Sequence, residues 1–139
     1  MAQRVKELMT DRVVTLAKDA SLTDAARLMR DRDIGDVIVV EGEDAAGIVT
    51  DRDIVIRGIA EGADPNTTSL GQVVSEELTS VAPDDPVERA IAMMRDKAVR
   101  RVPVLEGGKP VGVLSIGDLA VERDERSVLA DISEEPPTR

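Results

Sequence analysis

The 139-residue chain contains no cysteine, no histidine and no phenylalanine, tyrosine or tryptophan. Without cysteine no disulfide or thiolate metal site can form, and cysteine usage carries no sign of the redox compartment. Without histidine the commonest general acid–base and the commonest metal ligand are gone. A Ser-His-Asp triad or a cysteine nucleophile therefore cannot be assembled. Without aromatic rings the core has to be built from Val, Ile, Leu, Ala and Met, so any planar ligand would lie between aliphatic side chains. Long apolar runs are missing too: no window approaches the roughly 20 residues of a membrane span. The opening Met1–Leu8 lacks the apolar stretch of a signal peptide, so the expected location is cytoplasmic. Positive charge is in deficit, with 28 Asp and Glu against 18 Lys and Arg and a formal net charge of −10. A phosphate backbone needs a positive face, so nucleic acid is not an expected partner, although a local basic spot could hold one small phosphate.

What the chain does have is repetition. A shift of 65 residues aligns 5–54 with 70–119 without a gap. Identical pairs include Ala17/Ala82, Asp19/Asp84, Ala25/Ala90, Met29/Met94, Val39/Val104, Gly47/Gly112 and Asp53/Asp118. The chain is two copies of one unit. In each copy a short apolar helical turn (Val5–Met9, Leu70–Val74) precedes a short strand (Val13–Leu16, Leu78–Val81). Apolar residues at helical spacing follow: Leu22, Ala25, Ala26 and Met29, then Val87, Ala90, Ile91 and Met94. The second of these helices is predicted to start with Asp85 as N-cap, Pro86 at N1 and Glu88 at N3. Two β-branched runs joined by Gly-containing turns come next, Val37–Val40 with Ala46–Val49 and Val102–Leu105 with Val111–Leu114. Pro103 cannot donate to a ladder and is expected at a strand start or an edge. A last helix is predicted from Asp51 to about Ile59 and from Ile116 to about Glu122. The unit is β-α-β-β-α, an α/β (α+β) class. The boundaries read as 5–60 for the first domain, 61–69 for a Gly/Pro/Asn-containing linker, 70–124 for the second domain and 125–139 for a tail with a short helix over Ser127–Ile132. About 60 residues without aromatics make a marginal core, so the copies are expected to pack on each other and leave clefts.

The residues with chemistry lie where the last strand meets the last helix, in Gly47-Ile48-Val49-Thr50-Asp51-Arg52-Asp53 and Gly112-Val113-Leu114-Ser115-Ile116-Gly117-Asp118. A hydroxyl followed three residues later by an acid is a capping box, and a capping box needs no ligand. The same geometry suits a nucleoside phosphate. The helix N-terminus offers free N–H groups to a phosphate, and the carboxylate can accept two hydrogen bonds from the vicinal diol of a ribose. Both readings stand at this point.

These paired turns, the segment Arg100-Arg101-Val102-Pro103-Val104, the first-strand hydroxyls Thr15 and Ser80, and the 65-residue repeat resemble a tandem pair of cystathionine-β-synthase (CBS) domains, a Bateman module. The run Thr50–Val55 with Ala63-Asp64-Pro65-Asn66 further resembles small stand-alone actinobacterial members of the hypoxic-response type. The resemblance implies two CBS repeats packed about a pseudo-twofold axis. It also implies a non-catalytic regulatory role, with AMP, ADP, ATP or S-adenosylmethionine bound in the inter-repeat clefts and no cofactor required. Asp53 and Asp118 would take the ribose. Thr50 and Ser115 would lie near ribose or phosphate, Thr15 and Ser80 would line the same cleft, and the base would sit around Val37, Ile38, Val102 and Pro103. Homodimerisation through helix faces and an unidentified protein target acting in trans belong to the same expectation. The alternative is a constitutive dimerising interaction module in which the turns are only caps.

The chain departs from the family pattern at Arg100, where a histidine is common. Arg100 and Arg101 either hold a phosphate bidentately or neutralise nearby acids. The first copy has Gly35-Asp36 at the matching positions, and Asp36 would repel a phosphate, so the two sites are expected to be unequal. The acid pairs in Asp31-Arg32-Asp33 and Asp51-Arg52-Asp53 are either solvated helix ends or oxygen ligands for a hard cation such as Mg²⁺.

Overall fold

A computed structural model describes residues 3–74 and 78–124; the helix expected over Ser127–Ile132 lies outside them. The elements are α1 (Val5–Leu8), β1 (Thr15–Ala17), α2 (Leu22–Arg32), β2 (Asp36–Glu41), β3 (Asp44–Thr50), α3 (Asp51–Asp53) continuing as a π-helical segment (Ile54–Ile59), α4 (Leu70–Val73), α5 (Val87–Lys97), β4 (Arg101–Glu106), β5 (Lys109–Ser115) and α6 (Ile116–Asp124).

The chain divides into two compact units. One holds Val14–Leu78 with Gly108–Pro110, and the other holds the residues up to Val13, Thr79–Gly107 and the chain from Val111 onward. Each copy's opening helix therefore packs in the unit built on the other copy's strands. The hydrogen bonds that dock these helices match at the 65-residue spacing. Val5 N–H donates to the Asp85 carbonyl at 2.9 Å and Lys6 N–H to that of Pro83 at 2.9 Å; Leu70 N–H donates to Ala20 at 2.8 Å and Gly71 N–H to Lys18 at 2.9 Å. Burial agrees, since Val5 joins the apolar cluster of Val81, Val87, Ala90, Met94, Val102, Val104 and Leu114. Leu70 and Val73 join that of Leu22, Ala25, Met29, Val37, Val39, Val49 and Ile54.

In the unit around Val14–Leu78 the sheet runs β1-β2-β3. β1 is parallel to β2, with Thr15 opposite Ile38. β2 is antiparallel to β3, with Asp36 opposite Thr50 and a bulge at Val39/Val40. Side chains alternate between faces. Val37 and Val39 accordingly join the α2 cluster, while Ile38, also fully buried, does not. The Ser21 hydroxyl caps α2 by accepting from Asp24 N–H at 3.0 Å, and the Asp24 carboxylate accepts from Ser21 N–H at 3.2 Å.

The other unit keeps this register but loses a strand. The expected strand Leu78–Val81 is reduced to a single parallel bridge from Val81 to Val104, the counterpart of Leu16 opposite Val39. The cause is Pro103. Its counterpart Ile38 donates its N–H to the Val14 carbonyl at 3.0 Å, and proline has no N–H to give. What remains is Val81 N–H to the Pro103 carbonyl at 3.1 Å and Leu105 N–H to the Val81 carbonyl at 2.8 Å. Pro103 thus sits at the third position of β4, wholly buried, and makes the strand an effective edge on that side. The start of α5 also differs from expectation by one residue: Pro86 is the N-cap and Val87 the first helical residue. Asp85 instead turns its carboxylate back onto Ala82 N–H at 2.8 Å. The helix expected from Asp51 to Ile59 forms but widens at Ile54, with Ala60 N–H reaching the Val55 carbonyl at 2.8 Å.

Candidate functional site

β3 delivers Thr50 to the sheet end where β1 and β2 begin, so Thr15, Val37, Ile38, Thr50 and Asp53 gather at one end of a three-stranded sheet. The turn is a complete capping box. Thr50 Oγ1 accepts from Asp53 N–H at 3.0 Å, and Asp53 Oδ2 accepts from Thr50 N–H at 2.9 Å. The first helical N–H, of Asp51, is taken by the Gly35 carbonyl at 3.0 Å. The other unit repeats the arrangement: Ser115 Oγ accepts from Asp118 N–H at 3.1 Å, and Asp118 Oδ2 accepts from Ser115 N–H at 2.9 Å. Ile116 N–H donates to the Arg100 carbonyl at 2.9 Å. Ser80, beside the Val81 bridge, and Arg101, the first residue of β4, lie at the corresponding end.

The cap does not exhaust these groups. An ionised carboxylate has about four lone-pair positions and a hydroxyl both accepts and donates. The box uses Oδ2 of each acid and leaves Oδ1 outside it. Both carboxylates belong to half-buried residues, where charge-assisted hydrogen bonds are stronger than in bulk water. Capping and diol binding are therefore compatible functions of one side chain.

The aliphatic residues divide between faces. Val37 and Val102 are wholly buried in the two apolar clusters, with no accessible surface to offer a ligand, against the expectation that the base sits around them. Ile38 and Pro103 are buried outside those clusters. Arg100 is exposed and Arg101 half-buried, whereas Thr15 is exposed and Ser80 half-buried. Two surface grooves avoid the turn hydroxyls. One is apolar and lined by Ile91, Met94, Arg95, Ile116, Leu119 and Ala120. The other runs past Lys18, Glu41 and Ser69. Among the described residues, no group of three or more acids converges to hold a metal.

Two features of the site were not anticipated. The backbone carbonyls of Gly35 and Arg100 each hold the N-terminus of the following helix, a role invisible in side-chain types. Arg57 faces Asp53, with Nε 4.0 Å from Oδ1; its spacing four residues after an acid on a helix was the available signal.

The family model for the CBS domain matches residues 5–58 and 70–124. The chain belongs to the CBS-domain family. It is a tandem pair of CBS repeats, a Bateman module, and such pairs are generally regulatory. Hypoxic response protein 1 of Mycobacterium tuberculosis is 33% identical over 125 residues, covering 89% of this chain and 87% of that one. The CBS domain-containing protein YhcV of Bacillus subtilis is 36% identical over 119 residues, covering 86% and 84%. The crystal structure of Hypoxic Response Protein I with two coordinated zinc ions superposes with a TM-score of 0.79 at 32% identity, over 86% of this chain and 98% of that one. A CBS pair crystallised with 5′-methylthioadenosine and S-adenosyl-L-methionine shares the fold, with a TM-score of 0.81 at 19% identity over 91% and 100%. Among the described residues no helix is long and apolar enough to cross a membrane.

Proposed function

We propose that this CBS pair is a non-catalytic regulatory module that binds adenosine nucleotides (AMP, ADP or ATP) at its strand-to-helix turns and signals in trans as a cytoplasmic homodimer. S-adenosylmethionine falls in the same ligand class. The observation that carries this reading is the duplicated turn itself, with a hydroxyl and a half-buried carboxylate held in the same capping box at the same sheet end in both units. Asp53 and Asp118 take ribose hydroxyls through the oxygen outside the box, and Thr50 and Ser115 take ribose or phosphate. Thr15 and Ser80 line the ligand, and the base lies over the strand starts that hold Val37, Ile38, Val102 and Pro103. Arg100 and Arg101 add positive charge on the second copy alone, so that copy takes the phosphorylated ligand. The first copy, with Asp36 there, takes an uncharged one. Another member of the fold holds adenosine compounds, which supports the ligand class.

The zinc ions of Hypoxic Response Protein I are not part of this proposal. This chain has neither histidine nor cysteine, the nitrogen and sulfur ligands zinc favours. The homodimer is supported by Val55, Ile56, Ile59 and Ile116, whose large apolar side chains stand about half exposed on helices. The same side chains favour the second reading, a constitutive dimerising module that binds no nucleotide.

Mass spectrometry of small molecules released by denaturing the purified protein tests the ligand, and light scattering with and without AMP tests the assembly. The proposed function expects an adenosine compound in the released fraction and a dimer. A dimer with nothing released and no thermal shift with AMP, ADP, ATP or S-adenosylmethionine would leave only the second reading. A strict monomer would contradict the dimer in both.

A further inference from the structure

The two turn carboxylates differ in the residue that follows each of them four positions later. Asp53 has a partner on one side and a charged neighbour on the other: Oδ2 accepts from Thr50 N–H at 2.9 Å, and Nε of Arg57 lies 4.0 Å from Oδ1, an ion pair without a hydrogen bond. Arg57 lies on the π-helical segment, and its Nη1 donates to the carbonyl of Val73, the last residue of α4, at 3.3 Å. The segment that carries it has little freedom. A Cβ on the neighbouring Gly58 would lie 2.6 Å from Leu22 Cδ1, so the backbone is pressed against α2. Asp53, Arg57 and the end of α4 therefore form one chain of contacts inside one compact unit. In the second copy the residue matching Arg57 is Glu122. Asp118 thus has an acid four residues further along its helix where Asp53 has a guanidinium.

We propose that Arg57 is a positioning residue of the first-copy turn, holding the Asp53 carboxylate for the ribose diol and joining that site to the end of α4. This rests on the adenosine-binding reading above. A guanidinium beside Oδ1 limits the carboxylate to few orientations while leaving its remaining lone pairs to the two ribose hydroxyls. The first copy then discriminates ribose from deoxyribose through a fixed carboxylate. An uncharged nucleoside is the ligand that suits a turn with Asp36 in place of an arginine.

The test is an equilibrium titration of the full chain carrying Asp118→Ala, which removes the second-copy carboxylate, with adenosine and 2′-deoxyadenosine as probes. Each is repeated with Arg57→Ala and with Arg57→Lys added. The preference for adenosine over deoxyadenosine is the readout, because a structural defect weakens both nucleosides alike. Arg57→Ala is expected to reduce that preference by about threefold to fivefold, on the scale of a partly exposed ion pair, and Arg57→Lys to restore most of it. An unchanged preference in Arg57→Ala, or a lysine that restores nothing, would overturn the positioning role while leaving the proposed function intact. Loss of all adenosine binding in Asp118→Ala, with nucleotide binding kept by the unmutated chain, would overturn the first-copy site and this role with it. No binding of any adenosine compound by the unmutated chain would overturn the proposed function itself.

Discussion

At the scale of single residues, one hydroxyl and one acid serve as a helix cap and as the candidate ribose clamp, and stability measures the first of these roles. Ser115→Ala removes the acceptor for Asp118 N–H and is expected to cost about 1 kcal/mol of stability, measured by chemical denaturation. A second residue-scale prediction concerns the ends of α2 and α5. Asp33 and Ala98, matching positions of the two copies, both adopt left-handed backbone with φ of 53° and 55°. Aspartate tolerates that region through local hydrogen bonding, whereas alanine is strained by its Cβ. Ala98→Gly is therefore expected to stabilise by about 0.5–1 kcal/mol, and Asp33→Gly by less; equal effects would contradict this account of the strain. The turns were legible in the sequence because a hydroxyl–acid spacing states its own geometry. Arg57 was not singled out, since an arginine among apolar residues gives no sign of its partners at Asp53 and Val73 until they are seen.

At the scale of elements, among the described residues the periodicity found the helices and strands except where one residue's backbone chemistry intervened. Pro103 suppressed the strand at Leu78–Val81 by withholding a donor. A widening of the helix after Asp53 leaves no mark on an apolar pattern. The exchange of α1 and α4 was not legible either, because apolar helical turns carry no address; only the matched hydrogen bonds to Asp85 and Ala20 identify their hosts. Gly58 is the point where the π-segment meets α2. Gly58→Ala places a methyl against the fully buried Leu22 and is expected to destabilise by about 1–3 kcal/mol, seen as a lower denaturation midpoint. The docking of α1 has a pH signature. The Asp84 carboxyl is held below its ordinary pKa by the hydrogen bond and then the charge of Lys6, opposed by desolvation and aided least by Arg4. A lowered folded pKa means that the contribution is present above the unfolded value, about 3.9, and is lost as pH falls through the folded one. The stability difference between the unmutated chain and Lys6→Gln is thus expected to be small at neutral pH and to vanish in acid. A difference that grew on acidification would contradict the assignment.

At the scale of the whole molecule, the absence of histidine and cysteine shapes behaviour as much as any residue present. No side chain of the chain has an ordinary pKa between about 5 and 8, so its composition supplies no group that titrates in that range at its ordinary value. A ligand can bias the module only by its differential affinity for two states. In the proposed function, specificity rests on the inequality of the two copies, with Arg100 and Arg101 on one side, and Asp36 and Arg57 on the other. The measurement that tests this account most directly is calorimetric titration of the unmutated chain and of Asp118→Ala with AMP, ADP, ATP and S-adenosylmethionine. The account predicts binding of at least one phosphorylated nucleotide at about micromolar affinity or weaker, equivalent to about −8 kcal/mol or less in magnitude, and its loss in Asp118→Ala. Absence of heat with all four ligands, or a phosphorylated nucleotide bound equally well by Asp118→Ala, would contradict it.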